Sequence, residues 1–407
     1  MGKRILLLGL GMQGKAVLHD LANRTDISRI VVVDNRADLT DHLRRYPTGK
    51  IVGCHLNVAD GTSVVPLIQD SDVVIECLPS IHTLAMGKLA VDCGVSLVSS
   101  MYYLNPGEQD PDTINSIRRQ IGQLNDRAKE KGVVVLTEFG LDPGLDLILG
   151  ARALKELDEV EQFNTYGAGI PAPNARTNAL QYKFSWSIIG VMKAYRRPAR
   201  IITGGRVVTL ESGKVFEPGN FHILDLAEIG APLECFPNGD SVPYARMFGI
   251  HDTVREMGRY TCRLPGHCAF WNIMSKCGFL DEKPPGVGGI QMSPIEFTAA
   301  LLGSQEQFHY ALNEQDMAFI RIDVRGKSGG KKTRIVYQLI DTRDLESGLT
   351  AMQRTVAFTL SIGARLILEG KLRKQGVLTA LDVPYEMVIP ALERYGLHVV
   401  RREESAG

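Results

Sequence analysis

Gly9-Leu10-Gly11-Met12-Gln13-Gly14 is the stretch that decides the fold of this 407-residue chain. The six residues fit G-x-G-x-x-G, a spacing that means little alone and much more in context. An apolar run, Lys3–Leu8, precedes it and reads as a buried strand. Gly14–Ala22 follows, with Ala16, Val17, Leu18, Leu21 and Ala22 near helical spacing. Ile30–Val33 is then a continuous β-branched run, as suits a strand covered on both faces, and Asp34 closes it twenty residues after Gly14. Strand, glycine turn, helix, strand and acid make a βαβ unit suited to a dinucleotide. Gly9 permits the tight turn. Gly11 lets a pyrophosphate approach backbone N–H groups at the positive helix end, and Gly14 lets helix and strand pack closely. Met12 and Gln13 complete the candidate phosphate turn. Asp34 accepts from a ribose hydroxyl and repels a 2′-phosphate, which favours NAD. Arg36 is the group that would instead hold that phosphate in NADP, and Asp34-Asn35 is also good turn chemistry.

Outward from this unit the alternation continues. Ile51–Leu56, Val73–Cys77, Ser96–Ser99 and Val133–Thr137 read as strands, with helices over Val64–Gln69, His82–Asp92 and Thr113–Lys131. Such alternation predicts a parallel sheet with right-handed crossovers and a ligand at the carboxyl ends of its strands. Asn57 and Val58 after the third strand, Leu78 after the fourth, and Ser99 and Ser100 at the fifth are candidate cofactor residues. A boundary falls near Gly140–Gly144, so residues 1–140 form the first, Rossmann domain. Beyond it, strands are predicted over Gln162–Ala168, Arg200–Leu210, Arg255–Arg263, Ala318–Arg325 and Lys332–Ile340, with a hairpin connection at Gly326–Gly330. Ala269–Phe279, Pro294–Asn313 and Ala351–Leu368 read as helices, the last stopped by Gly370.

Composition narrows the function. Lys+Arg and Asp+Glu are 46 each, so the net charge is zero, which argues against a nucleic-acid partner. The run Ile5–Leu8 is too short for a signal peptide, and no membrane association is expected. Seven cysteines without a regular framework suggest reduced thiols in a cytoplasm. Cys262, His267, Cys268 and Cys277 match no paired C-x-x-C spacing, and no metal is expected.

Several segments resemble one family. Glu138-Phe139-Gly140-Leu141-Asp142-Pro143-Gly144-Leu145-Asp146 is similar to the E-x-G-L-D-P-G-x-D signature of glutamate-forming saccharopine dehydrogenases. Gly169-Ile170-Pro171-Ala172-Pro173, Tyr182-Lys183-Phe184-Ser185-Trp186-Ser187 and Pro237-Asn238-Gly239-Asp240-Ser241 resemble its G-x-P-A-P, Y-K-F-S-W-S and P-N-R-D-S segments. The resemblance implies an α/β protein: an N-terminal Rossmann domain, then a second α/β substrate and dimerisation domain over 141–350 with a mixed sheet and a small helical insertion near 265–315. Residues 351–407 would be C-terminal helices returning to the Rossmann domain. A homodimer is expected.

The resemblance also implies the chemistry. A nicotinamide cofactor, NAD or NADP, takes a hydride from the carbon of a C–N bond. Saccharopine or a similar amino-acid-derived secondary amine becomes an imine that water cleaves to glutamate and an aldehyde, or the reverse occurs, within lysine metabolism. Leu141, Asp142 and Pro143 match positions beside the nicotinamide, although Asp142 also suits a helix cap. Tyr102 is the candidate proton donor, and Tyr103 follows it as a substrate contact. Phe184, Ser185 and Trp186 match a substrate-pocket segment; Lys183, Arg259 and Arg263 are candidate carboxylate holders. Gly239 departs from the family, whose arginine there holds a substrate carboxylate. Either another cation such as Arg246, Arg259 or Arg263 substitutes, or the substrate bears fewer carboxylates. Lysine ε-dehydrogenase and carboxynorspermidine-type dehydrogenase are the alternatives within this chemistry, and a non-catalytic dinucleotide sensor is the alternative outside it.

Overall fold

The computed structural model describes residues 2–46, 49–286, 288–289 and 291–405. The chain starts as the alternation demands: β1 (Lys3–Leu8), α1 (Met12–Ala22), β2 (Ile27–Asp34), α2 (Leu39–Leu43), β3 (Ile51–His55), α3 (Gly61–Gln69), β4 (Val73–Glu76), α4 (Ser80–Asp92), β5 (Ser96–Ser99), α5 (Pro111–Lys131), β6 (Val134–Leu136) and α6 (Leu145–Leu154). The local causes are visible. In α5, for example, Asp110 caps the first turn by accepting the Thr113 N–H at 2.9 Å, Pro111 occupies the first helical position, and Gly132 at φ 70° ends the helix.

The middle of the chain builds a second sheet and its helices. In order these are β7 (Glu159–Pro171), α7 (Ile188–Arg196), β8 (Ala199–Thr203), β9 (Arg206–Leu210), β10 (His222–Leu226), β11 (Ala231–Pro237), α8 (Val242–Met247), β12 (Glu256–Arg263), α9 (His267–Lys276), α10 (Pro294–Gly303), β13 (Asp316–Ser328) and β14 (Lys331–Thr342). After α11 (Ala351–Leu368), β15 (Gly376–Leu378) and α12 (Tyr385–Glu393), the described chain closes with β16 (Val399–Ser405).

Two compact units result. The first comprises Met1–Ile148 and Gln353–His398; the second comprises Leu149–Met352 and Val399–Gly407. The first unit holds a parallel sheet in the order β15-β6-β5-β4-β1-β2-β3. Its inner strands β1, β2 and β4 hold continuous buried runs, as strands covered on both faces do, whereas the edge strand β3 is largely exposed. Leu6, Leu8, Val31, Val33, Val74, Leu97 and Val135 are all buried in one cluster. The second unit holds a mixed sheet, β10-β11-β12-β7-β13-β14-β16, with β8 on β12 and β9 on β8; β12 and β7 run parallel and the other pairs antiparallel. This is the expected α/β architecture.

Three expectations need correction. Arg200–Leu210 is not one strand but the hairpin β8–β9, because Gly204 and Gly205 both have positive φ. Pro294–Asn313 is helical only to Gly303, followed by a single 3₁₀ turn at Glu306–Phe308. Residues 351–407 are not all helices returning to the first unit. Gly376–Leu378 adds a parallel strand beside β6, and Val399–Ser405 pairs antiparallel with β14 in the second sheet.

Candidate functional site

In the first unit β1 and β4 are neighbours where the strand order reverses, the switch point at which such sheets bind ligands. The glycine turn sits there. Gly9 has φ 92°, and a Cβ on it would stand 2.7 Å from the Cys77 carbonyl oxygen; one on Gly14 would stand 1.9 Å from the Gly9 carbonyl oxygen. Both positions are closed to any larger residue. Gly11 is different: a Cβ there meets nothing within 4 Å, so the turn is open where a pyrophosphate would approach. The Gln13 amide is buried at this turn, and neither Nε2 nor Oε1 has a hydrogen-bond partner among the described residues. An open glycine and an orphaned amide at a helix N-terminus fit a dinucleotide. Gln353 of α11 braces the turn by donating to the Met12 carbonyl at 2.8 Å.

Asp34 is already engaged in the turn. One carboxylate oxygen accepts the Leu10 N–H at 2.5 Å and the other the Arg36 N–H at 2.9 Å. The Arg36 guanidinium donates to the Leu10 carbonyl at 3.0 Å and forks onto Asp38. Lys15, Arg36 and Arg45 crowd this corner: burial first, then the charges of Arg36 and Arg45, lower the Lys15 pKa, and burial and the same cations lower that of His42. Asn35 links Asp34 to Arg36.

The other candidates of this unit separate. Leu78 packs against Gly9, and Ser100 lies against Gly140. Ser99 is buried and accepts the Met101 N–H at 3.0 Å. Asn57 is exposed and caps its own turn at Ala59, whereas Val58 is a core residue. In the GLDPG turn, Leu141 is buried, the Asp142–Pro143 bond is cis, and a Cβ on Gly144 would stand 2.1 Å from the Gly140 carbonyl oxygen. The cap of the following helix turn is Asp146, accepting the Gly144 N–H at 2.7 Å. Tyr102 is half-buried, and Tyr103 buries its hydroxyl against α4 at Gly87.

In the second unit, Asn178 pins the Tyr182–Ser187 segment by donating to the carbonyls of Tyr182 at 2.7 Å and Gln307 at 2.8 Å. Phe184 is in the core, Trp186 packs at its margin, and Ser185 sits over Gly169, whose Cβ would be 2.9 Å from its hydroxyl. Lys183 does not await a ligand: it is buried and donates to both oxygens of Glu314, at 2.6 and 2.7 Å. Arg259 is buried with its guanidinium 3.8 Å from the centre of the Tyr244 ring. Arg263 is buried between Tyr182 and Tyr195, donating to the Tyr195 hydroxyl at 3.2 Å and the Cys262 carbonyl at 2.9 Å. Gly239 occupies φ 69°, next to the ion pair of Asp240 with Arg200, and Arg246 is exposed on α8.

His267, buried behind Arg263, shares a 2.8 Å hydrogen bond with the Tyr195 hydroxyl. Burial, then the Arg263 charge, lower its pKa well below 6.5. The unfolded chain therefore protonates this ring below about 6.5 while the folded chain resists, so acid costs stability. Thermal melts are expected to show a loss approaching 1.4 kcal/mol per pH unit below that point from this ring. His267→Gln is expected to flatten that limb; an unchanged acid limb would show that other groups set it.

Sequence reasoning missed Glu76, Glu314 and Tyr195, and weighed His267 only as a metal ligand. Glu76 lies inside the expected strand Val73–Cys77, where nothing local marks a carboxyl as functional; the others acquire meaning only through partners far away in sequence.

Comparison with known proteins adds the family. The model for the saccharopine dehydrogenase NADP binding domain matches residues 5–136, and that for the saccharopine dehydrogenase C-terminal domain matches residues 140–397. The NADP(+), L-glutamate-forming saccharopine dehydrogenase of Saccharomyces cerevisiae is 24% identical over 466 residues, covering 98% of this chain and 99% of the relative. The alpha-aminoadipic semialdehyde synthase of Arabidopsis thaliana is 26% identical, but this chain, covered to 95%, spans only 41% of its length. The apo saccharopine dehydrogenase (L-Glu forming) structure from Saccharomyces cerevisiae superposes with a TM-score of 0.79 at 22% identity, covering 99% of this chain and 100% of that one. The homospermidine synthase of Legionella pneumophila, solved with NAD, follows at 0.69 and 12% identity, covering 100% of this chain and 92% of that one. With both family models matched in order along nearly all its length, the chain belongs to the saccharopine dehydrogenase family.

Proposed function

We propose that the protein is a nicotinamide-dependent oxidoreductase of C–N bonds that acts on saccharopine or a closely similar amino-acid-derived secondary amine, in lysine metabolism. The observation that carries the reading is the glycine turn: Gly11 is open, and the Gln13 amide is buried without a partner where a pyrophosphate would lie. When bound, the nicotinamide accepts a hydride from the substrate carbon, and the amine nitrogen loses a proton as the imine forms. The chain's own part is to hold and orient. The turn and the α1 N-terminus bind the phosphates, and Tyr102 of the same unit moves the proton. In the second unit Arg263 is the candidate carboxylate holder, since its partners among the described residues are a phenol, a carbonyl and a ring. The test is a panel of saccharopine, lysine and polyamine-type amines, read by absorbance of the reduced cofactor. Turnover of saccharopine is expected; turnover of lysine alone would overturn the substrate reading.

The favoured cofactor is NADP, against the preference for NAD that Asp34 suggests in sequence. Each Asp34 oxygen already accepts a backbone N–H, so the acid shapes the turn, while Lys15 and Arg45 stand beside it with Arg36, whose guanidinium is shared with Asp38. The relatives named for NADP support this choice. Arg36→Ala is expected to weaken NADPH binding by about tenfold, ~1.4 kcal/mol, with little change for NADH. Fluorescence titration of both cofactors checks it; equal losses would place Arg36 in the turn alone.

One observation favours a second reading. With Gly239 lacking the family arginine and Lys183 neutralised by Glu314, fewer cations remain for carboxylates. A substrate with fewer carboxylates, as in the lysine or polyamine branches, fits that arrangement.

A further inference from the structure

Glu76 ends β4 at the switch point, between Leu8 of β1 and Ser99 of β5, and it is completely buried. A carboxyl is costly to bury, so its surroundings matter. The Thr83 hydroxyl of α4 donates to Oε1 at 3.1 Å, and the Ser99 hydroxyl and the Leu78 N–H also favour its charged form. The second oxygen, Oε2, has no hydrogen-bond partner among the described residues, nor has the buried Tyr103 hydroxyl. That hydroxyl lies against Gly87, one helical turn beyond Thr83; a Cβ there would be 2.4 Å from it. Thr83, Ser99 and Tyr103 thus line a buried polar cluster around Glu76.

This cluster joins the dinucleotide turn directly. The next residue, Cys77, donates its N–H to the Leu8 carbonyl at 2.8 Å, and its own carbonyl and the Leu78 side chain form the wall against Gly9. We propose that Glu76 is a positioning residue for the dinucleotide: as a neutral carboxyl it holds the Cys77–Leu78 wall, and its ionisation weakens dinucleotide binding. The proposal rests on the dinucleotide reading above.

Burial pushes the Glu76 carboxyl up to about 7, with the hydrogen bonds from Ser99, Thr83 and Leu78 opposing. Around it β1 presents apolar Leu8, β5 presents Ser99, α4 presents Thr83, and the adjoining loops present Cys77 and Tyr103. Only Cys77 and Tyr103 of these titrate. Burial, then the Glu76 charge, raise both, so both stay neutral where Glu76 changes charge. Below about 7 the carboxyl is neutral; above it a negative charge appears behind a turn that must accept a pyrophosphate. Affinity therefore falls as pH rises.

The experiment is fluorescence titration of the full chain with NADPH across neutral pH, in wild type and in Glu76→Gln. The 2′-phosphate titrates in both proteins alike, so their comparison isolates Glu76. Wild type relative to Glu76→Gln is expected to lose about tenfold in affinity on crossing the transition, the size of ~1.4 kcal/mol of repulsion. An identical pH dependence in the two proteins overturns the proposal. Carbon-13 NMR of the glutamate carboxyls in wild type tests it without a variant: one carboxyl titrating near about 7 is expected, and none above the ordinary range overturns it. Failure to bind NADPH at any pH overturns the dinucleotide reading itself, and this proposal with it. Pocket and switch thus fail in different ways.

Discussion

Gly11→Ala is expected to leave the melting temperature unchanged while weakening dinucleotide binding by about a hundredfold, ~2.7 kcal/mol. Gly14→Ala is expected to do the reverse first, lowering the melting temperature by roughly 10 °C, the effect of about 3 kcal/mol. The two glycines stand three residues apart, and a substitution table would treat them alike. Their surroundings separate them. A methyl on Gly11 meets no protein atom within 4 Å, so only a ligand can object to it. A methyl on Gly14 lands 1.9 Å from the Gly9 carbonyl oxygen, a backbone atom that cannot rotate away, and helix and strand must part. Differential scanning fluorimetry and cofactor titration on the same preparations give both readouts. If Gly11→Ala binds cofactor as tightly as wild type, the pyrophosphate does not lie over that residue.

Lys183→Met is expected to destabilise the second unit by about 3 kcal/mol. The ammonium is buried and forks onto both oxygens of Glu314, so its loss leaves a half-enclosed carboxylate without its counter-charge. Burial opposes ionisation of Glu314, but the hydrogen bonds and charge of Lys183 hold its carboxyl below the ordinary value of 4.5. The pair's contribution is therefore complete above that value and disappears as pH falls through the lower, folded one. Urea melts at neutral and acid pH are expected to show the variant's deficit shrinking in acid. Replacing Glu314 by Leu in the same protein should restore part of the loss, because an apolar pair avoids the desolvation cost. A deficit independent of pH would mean that the lysine stem, not its charge, matters.

Legibility in the sequence followed the range of the interactions. Strands β1, β2 and β4 were readable because each holds a continuous apolar run, a local pattern, whereas the five-residue helix Leu39–Leu43 is too short to show a period. Lys3–Leu8 and Ser96–Ser99 agree residue for residue. The hairpin at Gly204-Gly205 was also written in the sequence, but the alternation on either side concealed it. Val399–Ser405 was not readable as part of the second sheet, because its partner β14 lies more than fifty residues earlier. The site divides the same way. Gly9, Gly11 and Gly14 are contiguous and announce themselves. Lys183 is a free cation in sequence and a neutralised one in space, since Glu314 stands 131 residues away. Asp34 pointed to NAD by position, yet its oxygens turn inward to the backbone.

The late pairing of β15 with β6 has a consequence for synthesis on the ribosome. The first unit opens the chain, yet it includes a strand at Gly376–Leu378 and helices on either side of it. Residues emerging at roughly 5–20 per second leave that sheet with an unpaired edge while more than two hundred further residues are made. Val134–Leu136 is wholly apolar, and until Gly376–Leu378 arrives its backbone groups on that side stand unpaired, as at any open sheet edge. Chaperone demand during translation should therefore concentrate on the first unit, and a chain cut before residue 376 should aggregate even though every residue of its glycine turn is present.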